Sequence, residues 1–438
     1  MSAVFPRVFD RQLPTVALAH GASIWDVDGK RYLDASGGAI VVGVGHGDAD
    51  VVRATVEQAS RVAYVHGTQF TSEALELYAS ELAPLLPMED PKIYPVSGGS
   101  EAMETALKLA RAYHLARGDD SRHKILARVG SYHGNSLGAL DASGRRPLRQ
   151  PYRPWLGRAR HVPRVYEYRC PLPTHPDYCG ERHAEILDEA IRKEGPDSIA
   201  CFVAEPVVGA TLGVSIPPDD YWRHVQEVCR DYGILLIADE VMTGFGRTGR
   251  WFGCEHWDVR PDILIAGKAA SSGYWPLGLV AASGEVFDTV RQSGFVHGFT
   301  FSHSPVGAAV GRAVLRKLQE EDLVEASRVK GERLLKELTQ ALSLHPHVGD
   351  VRGLGLLIGI EIVADVRSKT PFLRRERVAE EIISAAMVEG LILYLATGSA
   401  DGTNGDVVML GPPYVITDEE ITEAVDKTRA ALDRVWPR

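Results

Sequence analysis

Ile234-Leu-Leu-Ile-Ala-Asp-Glu-Val241 decides how this chain folds. Its apolar run is too short for a helix and shows no alternation, the pattern of a strand buried on both faces, and it ends abruptly on two carboxylates. Residues 201–207 and 262–266 have the same character. Between the first two runs, residues 219–232 place Trp222, Val225, Val228 and Cys229 at helical spacing, and Gly233 stops the pattern. Upstream, residues 100–116 do the same with Met103, Ala106, Leu107, Ala110 and Tyr113 before Gly118. Strands of this kind alternating with helices of this length predict an α/β domain around a mostly parallel sheet.

Further out the pattern changes. Leu334, Leu335, Leu338 and Leu342 predict a helix, residues 356–362 a strand, and Thr417 with Glu420 a capping box opening a helix through Ile421, Val425 and Leu432. These make a smaller α+β unit. Residues 24–33, with Asp28-Gly29 between apolar runs, read as a hairpin that joins it. The expected division is a large domain over residues 61–319 and a small domain formed by residues 1–60 and 320–438.

A chain of 438 residues with 45% hydrophobic and 24% charged residues can bury cores of this size. A net charge of -10 argues against nucleic acid or an anionic membrane as the main partner, although residues 145–164 are locally basic. The first residues lack an apolar leader and no long apolar run follows, so a cytoplasmic protein is expected. Five cysteines without CxxC spacing fit reduced thiols. Cys170, His175 and Cys179 match no zinc pattern and lack a fourth ligand, so they read as an ordinary loop and no metal is expected.

Three strand ends carry polar residues: Glu205-Pro206, Asp239-Glu240 and Gly267-Lys268. Ligands sit at the carboxyl ends of strands in open α/β sheets. Lys268 would emerge from a packed strand into a cleft, where desolvation favours the neutral, nucleophilic amine. Ser97-Gly98-Gly99-Ser100 opens the helix at 100–116, and its free amides, helix dipole and Ser100 hydroxyl suit a phosphate. Gly244-Phe-Gly246-Arg-Thr-Gly249 also matches GxGxxG, but no amphipathic helix follows, so dinucleotide binding is not expected.

Together these segments, with Gly21-Ala-Ser-Ile-Trp-Asp-Val-Asp-Gly-Lys-Arg-Tyr-Leu-Asp34, Ser131-Tyr-His-Gly134, Asp239-Glu-Val-Met-Thr-Gly-Phe-Gly-Arg-Thr-Gly249 and His297-Gly-Phe-Thr-Phe-Ser-His-Ser-Pro305, resemble the class III pyridoxal-phosphate aminotransferases, or omega-aminotransferases, over nearly the whole chain. The resemblance implies fold-type-I architecture, a homodimer and pyridoxal 5'-phosphate carried by Lys268 as a Schiff base. Gly99 and Ser100 would bind its phosphate, Tyr132 and Val241 would pack its two ring faces, and Asp239 would hold the ring nitrogen protonated. Phe299 and Thr300 resemble the phosphate contact that reaches across the dimer, while His133 and Glu205 hold family positions nearby, as direct contacts or as supports for other groups. Trp25 and Trp155 read as core or interface residues rather than pocket walls. The implied reaction moves an amino group from a primary amine or omega-amino acid to an oxo-acid such as pyruvate. An aminomutase, decarboxylase or racemase on the same scaffold is the alternative, and a non-catalytic binding protein a distant one.

One departure concerns substrate. Many relatives carry a carboxylate-binding arginine before the C-terminal Pro-Pro, whereas residues 395–412 here contain neither arginine nor lysine. Ala39 and Ile40 also replace a bulky aromatic of some relatives. Either Arg145, Arg146 or Arg149 substitutes for the missing cation, or neutral amines are preferred; the basic run reads more readily as a solvated face, which favours the second.

Overall fold

The computed structural model describes residues 3–9, 12–170, 172 and 179–437. Its centre is a sheet whose strands run, in spatial order, Lys92–Val96, Gly278–Ala282, Ile263–Ala266, Leu235–Asp239, Ile199–Ala204, Lys124–Arg128 and Ala159–Val162. Only Gly278–Ala282 runs antiparallel to its neighbours; the other pairings are parallel. The expected mostly parallel sheet is therefore present.

The continuous apolar runs have a direct cause in packing. Cys201, Val203, Leu235, Ile237, Ile263 and Ile265 face one side, against Met103, Ala106 and Ala110 of the helix Gly99–Ala116. Phe202, Ala204, Leu236, Leu264 and Ala266 face the other, in the core that holds Leu187, Ile191, Trp222 and Val225 from the helices Cys179–Glu194 and Tyr221–Asp231. With helices on both faces, every strand position is worth burying, at about 1.5–3 kcal/mol per large aliphatic side chain. Alternation would gain nothing here.

Toward the C-terminus, Val348–Leu354, Leu357–Ile362, Asp406–Leu410 and Tyr394–Thr397 form an antiparallel sheet in that order. The helix Asp418–Val435 opens with the expected box, Thr417 and Glu420 each accepting from the other's backbone amide. The hairpin is present too: Ile24 pairs with Tyr32, and the strand Arg31–Asp34 then runs parallel to Leu391–Ile392. Arg31 also reaches Glu423 at 2.8 Å, so the N-terminal strands lie against the C-terminal helix.

The GxGxxG stretch is a buried turn followed by the short 3-10 segment Gly253–Trp257. Within it Arg247 donates to the carbonyls of Val42, Leu356 and Pro412, so one guanidinium fastens three remote segments. Its burial lowers its pKa. Among the described residues no helix is long and apolar enough to cross a membrane.

Candidate active site

Strand register brings the predicted residues together. Ala204 pairs with Ala238 and Asp239 with Ile265, so Glu205, Asp239 and Gly267-Lys268 emerge side by side at the carboxyl edge. A cavity of about 200 Å³ opens there, lined by Gly99, Ser100, Tyr132, His133, Gly134, Glu205, Gly209, Ala210, Asp239, Val241, Met242 and Lys268.

Lys268 follows the strand in the left-handed region, with φ +47°. For a residue with a Cβ this costs about 1–2 kcal/mol, a strain that clusters at functional sites. Burial pulls its pKa down to about 8; Asp239 opposes that shift and Arg247 reinforces it. A lysine of this kind is mostly protonated at pH 7 but keeps a neutral fraction of roughly a tenth, far above that of an exposed lysine, and can act as nucleophile and base.

Asp239 is held from both oxygens. Oδ1 accepts from the Val241 amide at 3.1 Å, and Oδ2 lies 2.7 Å from Nδ1 of His133. His133 is buried; burial opposes its charge, but the carboxylates of Glu205 and Asp239 outweigh it and raise its pKa. Its Nε2 faces Glu205 Oε2 at 3.9 Å. Glu205 Oε1 accepts from the Tyr132 amide at 3.0 Å and Oε2 from Arg128 at 3.4 Å, so it fixes the turn carrying Tyr132.

At the other end, the helix Gly99–Ala116 starts with no side-chain cap. The Ser100 hydroxyl accepts from the Asn135 amide at 3.1 Å and keeps its own proton for a ligand. Two glycines keep this end open. A Cβ on Gly134 (φ +132°) would lie 2.5 Å from Ser100 Oγ, and one on Gly99 would meet Val241 Cγ1 at 3.0 Å.

Tyr132 and Val241 stand on the cavity wall, whereas Phe299 and Thr300 do not line it; they lie on a loop where Thr300 is exposed. Trp25 lies in the strand Ser23–Asp26. Trp155 is 70% exposed and stacked on Tyr152, so packing in the core of this chain is not its role. Periodicity carried no sign of Gly209, Ala210 and Met242, which complete the wall from loops. His175 lies outside the described residues. Cys170 and Cys179, read as an ordinary loop, instead meet each other and His183, which falls one helical turn beyond Cys179.

The donor set fits pyridoxal phosphate: an anion-binding helix start, a carboxylate for a protonated ring nitrogen and a desolvated amine for an aldehyde. Fold and site together define a fold-type-I pyridoxal-phosphate-dependent enzyme. The family model for aminotransferase class-III matches residues 8–432, and this chain belongs to that family. It is 39% identical to the uncharacterized aminotransferase YodT of Bacillus subtilis, over 96% of each chain. It is 33% identical to the putrescine–pyruvate aminotransferase of Pseudomonas aeruginosa, over 96% of this chain and 90% of that one. In structure it superposes on an (S)-enantioselective omega-transaminase from Thermomicrobium roseum with TM-score 0.93 and 36% identity, covering 99% of this chain and 97% of the other.

Proposed function

We propose that the protein transfers an amino group from a primary amine or omega-amino acid to an oxo-acid such as pyruvate in two half-reactions. The observation that carries this reading is Lys268, desolvated to a pKa of about 8 in the cavity that also holds the Asp239–His133 pair. Bound there, pyridoxal phosphate supplies the electron sink for the substrate carbon that loses its proton. Lys268 Nζ takes that proton and returns one, base then acid. Asp239, fixed by His133 and the Val241 amide, offers its carboxylate to the ring nitrogen. Gly99 and the Ser100 hydroxyl hold the phosphate, and Tyr132 and Val241 pack the ring.

The same reading makes the working unit a cytoplasmic homodimer, divided into domains at residues 61 and 319, in which Phe299 and Thr300 serve the partner's site. The exposed Val296 and Phe301 beside Thr300 support a covered surface there.

Arg145 supports a substrate carboxylate as ligand. It is half-buried, donates to Thr397 Oγ1 at 3.3 Å, and so stands against the very hairpin that lacks a cation of its own. Among the described residues no carboxylate pairs with it, its Nε is buried without a hydrogen-bond partner, and burial lowers its pKa. A cation kept in that state is costly unless a ligand completes it. Arg149 is engaged by Asp141 and the Ser143 carbonyl, and Arg146 is exposed, so of the three candidates Arg145 is favoured over a purely solvated face.

Addition of an amine to the yellow holoenzyme should bleach its visible absorption, and pyruvate should restore it with formation of alanine. Release of carbon dioxide, or conversion of the amine with no oxo-acid consumed, would instead favour the decarboxylase, mutase or racemase reading.

A further inference from the structure

Away from the cavity, the segment between the strand Ala159–Val162 and the helix Cys179–Glu194 brings two thiols and an imidazole together. Cys170 Sγ lies 3.3 Å from Cys179 Sγ and 3.8 Å from His183 Nε2, and the three atoms all fall within 4.8 Å of one another. We propose that Cys170, Cys179 and His183 bind a soft divalent metal ion, zinc being the ion their chemistry fits, with a solvent molecule as the fourth ligand.

The spacing is that of a ligand set. Bonds of about 2.3 Å to sulfur and 2.0 Å to nitrogen in a tetrahedron require ligand-to-ligand edges of roughly 3.5–3.8 Å. Two of the observed edges, 3.3 and 3.8 Å, lie within about half an ångström of those values, and the Cys179–His183 edge, within 4.8 Å, closes by rotation of the side chains. Its rigidity comes from the fold. Cys179 and His183 share one face of the helix by i, i+4 spacing. The buried His183 ring is set edge-on to Tyr221 at 6.4 Å. Cys170 follows the 3-10 turn Glu167–Arg169, which Arg169 anchors to Glu361 at 3.1 Å.

Charge points the same way: the carboxylates of Glu167 and Asp220 act on the Cys179 sulfur, and such surroundings favour a cation. Binding would expel both thiol protons, replacing S–H bonds by metal–thiolate bonds with no change of oxidation state.

The consequence is structural. The 164–170 segment also carries Arg164, which donates to the carbonyls of Ser399 and Ala400 at the tip of the hairpin beside Arg145. A metal at Cys170 would staple that segment to the helix Cys179–Glu194.

The test uses the reduced holoenzyme equilibrated with zinc and dialysed. A single equivalent of zinc per chain should remain, and both thiols should be protected from a thiol reagent until a strong chelator is added. Cobalt in place of zinc should give thiolate charge-transfer and tetrahedral visible bands. Those bands should be lost in Cys170→Ser, Cys179→Ser and His183→Gln, while the cofactor absorption persists. Thiol protection is read on the unaltered protein, so a variant that fails to fold does not remove the test. Absence of retained zinc, equal thiol reactivity with and without zinc, or cobalt bands that survive the substitutions would overturn the proposal, as would a Cys170–Cys179 disulfide in protein isolated without reductant.

Discussion

At the sheet edge, Asp239 and His133 are 4% and 3% exposed and are held by each other and by neighbouring backbone; Arg145, outside the cavity wall, is half-buried and among the described residues makes one side-chain hydrogen bond, to Thr397. Strand register fixes Asp239, whose buried contact in turn fixes His133 on the loop after Lys124–Arg128, whereas Arg145 is carried by a loop laid against a hairpin of the C-terminal sheet. Groups set by register cannot move without shifting a packed sheet, so they suit chemistry that does not change with substrate. A cation on a loop can be exchanged at little cost to the core, which suits selection among substrates. Substitutions in the two regions should therefore separate into effects on every substrate and effects on carboxylates alone.

The largest effect is expected at Lys268. Lys268→Ala should lower turnover of all amine and oxo-acid pairs by roughly 100- to 10,000-fold, the range a positioned acid–base group contributes. Borohydride reduction followed by peptide mapping should find the cofactor on Lys268 of the unaltered protein. Recovery on a different lysine, or full turnover in the variant, would refute the assignment. Next, Asp239→Asn should remove the carboxylate offered to the cofactor's ring nitrogen. Loss of one fixed electrostatic stabiliser of developing charge typically lowers turnover by roughly 100- to 1,000-fold, and that loss is expected in both half-reactions. A loss confined to one half-reaction would show that Asp239 serves the substrate.

Across the divide, Arg145→Ala should reduce kcat/KM for pyruvate by roughly 10- to 100-fold, the worth of about 1.5–3 kcal/mol for a charge-assisted hydrogen bond. Bleaching by an uncharged arylalkyl amine should be unchanged, and the exposed Arg146→Ala should behave as wild type. If the neutral amine suffers equally, Arg145 belongs with the chemistry and the comparison collapses. Thr300→Ala should weaken cofactor retention by up to a similar factor without changing the ratio of amine to oxo-acid rates; a fully active monomer would remove the reason for its effect.

The same division explains what the sequence revealed. Glu205, Asp239 and Lys268 were legible because each ends an apolar run, and a run buried on both faces can only be a central strand. The glycine–serine turn on the cavity wall was legible because Gly99 and Ser100 open a helix whose apolar periodicity is plain. Arg145 could be named only as one of three arginines, since what distinguishes it is that no carboxylate pairs with it among the described residues, a property of space rather than of order along the chain. His183 was missed for the same reason: its one-turn spacing from Cys179 means nothing until Cys170 folds back beside them.

The smallest expected effect sharpens the role of His133. Its folded pKa lies above the unfolded value of 6.5, because Glu205 and Asp239 outweigh burial. The folded chain therefore holds a proton that the unfolded chain releases first, so this group's stabilisation is complete below the unfolded pKa and fades as pH rises through the folded one. Thermal unfolding of cofactor-free protein should show a component of Tm that falls with pH above about 6.5. His133→Gln should lower Tm at acid pH and abolish that component, while Arg145→Ala, whose guanidinium does not titrate in this range, leaves its shape intact. Should Tm in the His133→Gln variant keep the wild-type dependence on pH, the imidazole is neutral in the folded protein, and Asp239 is held by a neutral donor rather than by a cation.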